Sequence, residues 1–97
     1  MITQGVTSVA NGTIKRGIKN ATIQGTSISL NADRGTYQAF NISSLGAEQI
    51  ISVMTVDNTW EVVEKPILIS TSSIQVAFHN TATTSKTFTP SIYVSYI

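Results

Sequence analysis

The stretch Ser73-Ile74-Gln75-Val76-Ala77-Phe78-His79 decides how the chain folds. Ile74, Val76 and Phe78 alternate with Gln75, Ala77 and His79, the period-2 pattern of a strand with one face turned inward. Thr26, Ile28 and Leu30 alternate with Ser27 and Ser29 in the same way. Two further stretches, Ile50-Ile51-Ser52-Val53-Met54-Thr55-Val56 and Ile92-Tyr93-Val94-Ser95-Tyr96-Ile97, are apolar on both faces, so each is either central in a sandwich or covered by another subunit.

Composition extends this reading to the whole chain. Its 97 residues include 13 Ile and 8 Val but only 3 Leu, and 14 Thr and 12 Ser are spread along the length. β-Branched side chains suit a pleated, half-buried surface and lose rotamer freedom in helices. Turn signals fall at short intervals. Asn11-Gly12 lies between Val6-Val9 and Thr13-Ile18 as a hairpin signal. Asn31-Ala32-Asp33-Arg34-Gly35 separates Ser27-Leu30 from Thr36-Ile42, and Asp57-Asn58 separates Ile50-Val56 from Thr59-Val63. Glu64-Lys65-Pro66 precedes Ile67-Ser70, with the proline at a strand start. A Thr-rich loop from Asn80 to Ser85 joins Ser73-His79 to Pro90-Ile97, and Ser44-Leu45-Gly46-Ala47-Glu48-Gln49 reads as a single turn or loop. The expectation is a single domain over residues 1–97, all-β, an antiparallel β-sandwich of about eight short strands with Greek-key or jelly-roll-like connections.

Charge narrows the chemistry. Charged residues make up 11% of the chain, against about 25% in soluble domains, and the net charge is +1. Six dispersed Lys and Arg do not supply the counterion release that drives nucleic-acid binding. The high Ile and Val content argues against intrinsic disorder. With no Cys there is no disulfide, thiolate metal site or cysteine nucleophile. No apolar run reaches the roughly 18 residues of a membrane span, and Met1-Ile2-Thr3-Gln4 lacks the basic-then-apolar order of a signal peptide. The expectation is a soluble protein without membrane insertion.

Catalytic groups are sparse. His79 is the sole imidazole, no Ser stands in a G-x-S-x-G context, and His79 reads as the outward end of a strand face. Glu61 and Glu64 near one strand end, next to Lys65, read as surface charges rather than an acid and nucleophile facing each other across a sugar. Asn31-Ala32-Asp33 and Asp57-Asn58 carry one acid each, fewer than a calcium loop needs, and read as turns. Gly12, Gly17 and Gly25 are not spaced as a phosphate loop. Three N-x-S/T triplets follow from the Ser and Thr content alone. The expectation is no enzyme, no cofactor and no metal.

Recognition then falls to aromatics and one basic stretch. Trp60, Tyr37, Tyr93 and Tyr96 could stack on sugar faces or serve as interface hot spots; the alternative for Trp60 is packing in or at the rim of the sandwich. Tyr93 and Tyr96 lie on opposite faces of one strand, so at least one is expected to face outward or into a neighbour. Lys15 and Arg16, in Lys15-Arg16-Gly17-Ile18-Lys19, either contact a partner, an acidic protein surface ahead of nucleic acid, or are solvated hairpin charges that guard a sheet edge.

In order along the chain, Ile50 to Val56, Trp60, Ser73 to Thr81 and Ile92 to Ile97 resemble the second half of small all-β proteins of tailed bacteriophage virions, such as capsid decoration proteins, head fibres and fibre-tip domains. The resemblance covers about half of the chain and rests on its pattern. It implies a non-enzymatic structural protein of the virion, homo-oligomeric and often trimeric, partnered by other capsid or fibre proteins and displaying loops to the host, with a host-surface glycan as a further partner. The alternative from the residues themselves is a carbohydrate-binding module using Trp60 and a tyrosine.

Overall fold

The computed structural model of the chain describes residues 17–56 and 59–97. Among them are eight strands: β1 (Lys19–Gln24), β2 (Ile28–Leu30), β3 (Gly35–Asn41), β4 (Ile50–Thr55), β5 (Val62–Ile69), β6 (Ser73–Asn80), β7 (Lys86–Phe88) and β8 (Ser91–Tyr96). The only helical element described is a 3₁₀ turn at Ser43–Leu45, closed by Gly46 at φ 63°, where a glycine carries no steric penalty. No helix among the described residues is long and apolar enough to cross a membrane.

All pairings are antiparallel, and the fold is all-β. β8 lies between β1 and β4, β2 pairs with β7, and β6 lies between β3 and β5. The pairs β1–β8, β2–β7 and β3–β6 are nested, first strand with last and so inward, as in one long hairpin folded over itself in the manner of a jelly roll. At the fold of this ribbon the Gly25 N–H donates to the Pro90 carbonyl at 2.8 Å, joining the β1–β2 corner to the approach to β8. A Cβ on Gly25 would collide with Gln38 Oε1 and lie 2.8 Å from the Phe40 ring, so this corner rests directly on the inner face of β3.

One core joins the sheets. Ile28 and Leu30 of β2, Phe40 of β3, Ile74, Val76 and Phe78 of β6, Phe88 of β7, and Ile92, Val94 and Tyr96 of β8 form a single buried cluster with Ile42. The alternation read at Ile74, Val76 and Phe78 continues one step further to Asn80, which is fully buried. Its Nδ2 donates to the carbonyls of Leu30, Asn31 and Thr84 at 3.0–3.1 Å, and its Oδ1 accepts from the Ala82 N–H at 2.9 Å. One side chain thereby ties the β2–β3 turn to the loop before β7.

Several boundaries differ from the sequence expectation. The segments around Glu64-Lys65-Pro66 form one strand, β5, rather than two. Pro66 is tolerated because β5 is an edge among the described strands, and a register shift between Pro66 and Leu68 leaves Ile67 as the extra residue of a bulge. Lys19–Gln24 and Lys86–Phe88 are strands that local pattern did not mark; each is extended by pairing with a distant partner, Ser91–Tyr96 and Ile28–Leu30 respectively. The Asn11-Gly12 hairpin and the Asp57-Asn58 turn lie outside the described residues.

Candidate functional site

Register fixes what each sheet presents to the outside, because residues directly opposite one another in an antiparallel pair share a face. On the β3-β6-β5 sheet the inner rows across all three strands are Thr36–Phe78–Glu64, Gln38–Val76–Pro66 and Phe40–Ile74–Ile69; the outer rows across all three are Gly35–His79–Val63, Tyr37–Ala77–Lys65 and Ala39–Gln75–Leu68, and the pair Asn41–Ser73 continues the outer face. The outer face is therefore apolar for most of its extent: Tyr37 is 64% exposed, Leu68 64% and Val63 58%. Gly35 and Ala77 are its floor, and with Tyr37, Val63, Lys65 and His79 around them they make a shallow depression of about 550 Å³. Lys65 makes no ion pair among the described residues. His79 Nε2 stands 3.1 Å from Asp33 Oδ1 at the edge of the depression.

The second outer face belongs to β1, β8 and β4. Its central row is Thr22–Tyr93–Met54, with Tyr93 and Met54 exposed, and the neighbouring row is pinned by a Ser95 Oγ to Asn20 Oδ1 hydrogen bond of 2.7 Å.

Trp60 is 76% exposed. Its indole is not packed inside the sandwich, one of the alternatives considered from sequence, and its turn stands at the end of the β5–β6 pair. Its turn is closed by Val62 N–H to the Thr59 carbonyl at 3.2 Å, and Glu61 holds the left-handed conformation at φ 66°, which costs a non-glycine residue free energy. The Glu61 carbonyl accepts from both the Thr81 N–H at 2.8 Å and the Thr81 hydroxyl at 2.7 Å, so the indole is carried on a turn anchored to the end of β6.

No protein-family model, no curated protein and no solved structure matches this chain.

The four aromatics proposed for recognition do not converge. Tyr37 stands on the outer face of the β3-β6-β5 sheet and Tyr93 on the outer face of the other sheet. Trp60 lies two residues past the Val62–Asn80 end of β5, an end that is itself three rows from Tyr37 along the strands and two strands across. Tyr96, 9% exposed, belongs to the core and offers no ring to a partner. Lys15 and Arg16 lie outside the described residues.

For catalysis the arrangement provides little. His79 hydrogen-bonds Asp33, and no hydroxyl is among its partners in the described residues. Glu61 approaches Lys86 at 3.9 Å while Glu64 sits in an inner row beside Phe78, so the two carboxylates do not flank a common cleft. No three His, Asp or Glu side chains of the described residues gather in metal-binding range. Sequence reasoning passed over two features, one on the outer face and one inside. The depression depends on Gly35, opposite His79, lying diagonally across from Ala77, opposite Tyr37, an arrangement that only register reveals. Asn80 was signalled, since the parity of Ile74, Val76 and Phe78 already points it inward.

Proposed function

We propose that this chain is a non-enzymatic structural module of a phage virion surface, of the capsid-decoration or fibre kind, which assembles by protein–protein contacts across its outer sheet faces. The observation that carries the assembly part is the outer face of β3, β6 and β5, where Tyr37, Val63 and Leu68 stand largely in water beside small residues. Exposed apolar side chains in register along one sheet are the raw material of an interface, and the low charge density spares a partner the cost of desolvating ions. The virion part rests on the resemblance of the segments between Ile50 and Ile97. Light scattering across a range of concentrations tests the reading: a species of defined stoichiometry, alone or with a capsid or fibre protein, supports it, and a chain that stays monomeric with every virion protein offered defeats it.

Trp60 favours a second reading, the carbohydrate-binding module. An exposed indole on an anchored turn has the geometry for stacking on a sugar face. As the only Trp, it reports directly: a saturable emission change on titrating glycans, lost in Trp60→Ala, would move the assignment to sugar recognition.

A further inference from the structure

Resting on the assembly reading, we propose that the occupant of the β3-β6-β5 outer face is a second copy of this chain, related by a two-fold axis that runs parallel to β6 above Ala77. The three outer rows are asymmetric across the sheet. The β5 side carries the larger side chains Val63, Lys65 and Leu68, whereas the β3 side carries Gly35 and Ala39 around a single ring, Tyr37. A two-fold axis parallel to the strands keeps every row at its own level and places the β5 side of one copy over the β3 side of the other. Val63 then meets the partner's Gly35, Leu68 meets the partner's Ala39, and Lys65 meets the partner's Tyr37, each contact occurring twice as an isologous interface requires.

Size and charge both select this axis. Large side chains fall on small ones in the two flanking rows. In the central row the Lys65 stem lies along the partner's ring, and because β5 is an edge strand its ammonium reaches water beyond the ring, a cation–π arrangement without full desolvation. The alternative two-fold, in the sheet plane but perpendicular to the strands, puts Lys65 on Lys65 and Val63 on Leu68. It pairs like charges and crowds the larger side chains while leaving Gly35 over Ala39 with a void. Across the preferred axis the β6 residues face their own copies: Ala77 meets Ala77, His79 meets His79, and Gln75 meets Gln75, where two amides can exchange hydrogen bonds.

Area sets the strength. Three strands about 4.8 Å apart and seven residues of roughly 3.3 Å each give a footprint on the order of 300 Å². That is below the ~800 Å² per partner of a standard interface, so the isolated pair is weak and associates at roughly 10 μM to 1 mM.

Sedimentation equilibrium across that range, on the full chain, tests the proposal. The expected result is a monomer–dimer equilibrium weakened about tenfold or more by Ala39→Asp or by Lys65→Glu. Both positions are exposed, so melting temperatures should stay near wild type. The double exchange Tyr37→Lys with Lys65→Tyr restores the cross-copy pairs and should recover association to within about threefold of wild type, although Tyr37→Lys alone weakens it. A trimer, or a dimer indifferent to Ala39→Asp and Lys65→Glu, overturns this geometry and leaves assembly through another face standing. Failure of the double exchange to recover association also overturns it. A wild-type chain that remains monomeric at 1 mM overturns self-association, while the broader assembly reading is still decided by binding to virion proteins.

Discussion

Asn80 shows how one residue can hold several chain segments at once. Buried at the inward end of β6, it satisfies three carbonyls and one N–H from the β2–β3 turn and the 81–84 loop. Its amide is matched to that cage because it offers both donor and acceptor, which neither an apolar residue nor a carboxylate does. Asn80→Leu takes the amide from those backbone groups, at about 1–3 kcal/mol for each one left buried and unpaired. Only the Leu30 carbonyl and the Ala82 N–H are fully buried, the Asn31 and Thr84 carbonyls being part-exposed, so the expected loss is about 3 kcal/mol, lowering Tm by roughly 10–20 °C in a thermal melt followed by circular dichroism. Asn80→Asp should be at least as damaging at neutral pH, since it sets a negative charge against three carbonyl oxygens. A loss under about 1 kcal/mol for Asn80→Leu would show that water replaces the amide.

β5 is the element whose sequence conflicts with its structure and is explained by its place at an edge. Eight residues that contain a charge pair and a proline make an unpromising strand, yet β5 pairs with β6 from Val62 to Ile69. Inward Glu64, Pro66 without an N–H and the bulge at Ile67 all hinder a further strand from adding to the free side. Replacing both Glu64 and Pro66 by Val should therefore leave the melting temperature equal or higher while aggregation on mild heating accelerates, read by turbidity and thioflavin binding. Slower aggregation of that double variant would remove the edge-protection account. The opposite edge, β3, carries neither proline nor charge from Gly35 to Asn41, so the two sides of this sheet are guarded differently.

At the scale of the whole molecule, topology governs how the chain reaches its fold. Lys19 pairs with Tyr96, Ile28 with Phe88 and Gly35 with His79, so the outermost pairing joins residues near opposite ends of the described chain. Loop-closure entropy must be met before such contacts are rewarded, which places refolding in the millisecond-to-second range typical of nonlocal β folds. Stopped-flow far-ultraviolet circular dichroism measures this directly. A microsecond phase carrying the full amplitude would mean that local structure dominates after all. Trp60 fluorescence is a poor probe of the same event, because the indole is exposed in the native state.

Sequence alone determined the fold class, and it did so through particular residues. Ile74, Val76 and Phe78 declared a strand with one buried face, and the strands Ile28–Leu30, Gly35–Asn41 and Ile50–Thr55 emerge near where the alternation and turn residues set them. It also named Trp60, Tyr37 and Tyr93, whose rings do stand at the surface. Tertiary structure alone decided the strands at Lys19–Gln24 and Lys86–Phe88, the burial of Tyr96 and the meeting of Gly35, Tyr37, Ala77, Lys65 and Val63 on one face. The physical reason is the range of the interactions. Alternation is written in consecutive residues, whereas register is set by backbone hydrogen bonds between strands far apart in sequence, and a shift of one residue would exchange the inner and outer faces.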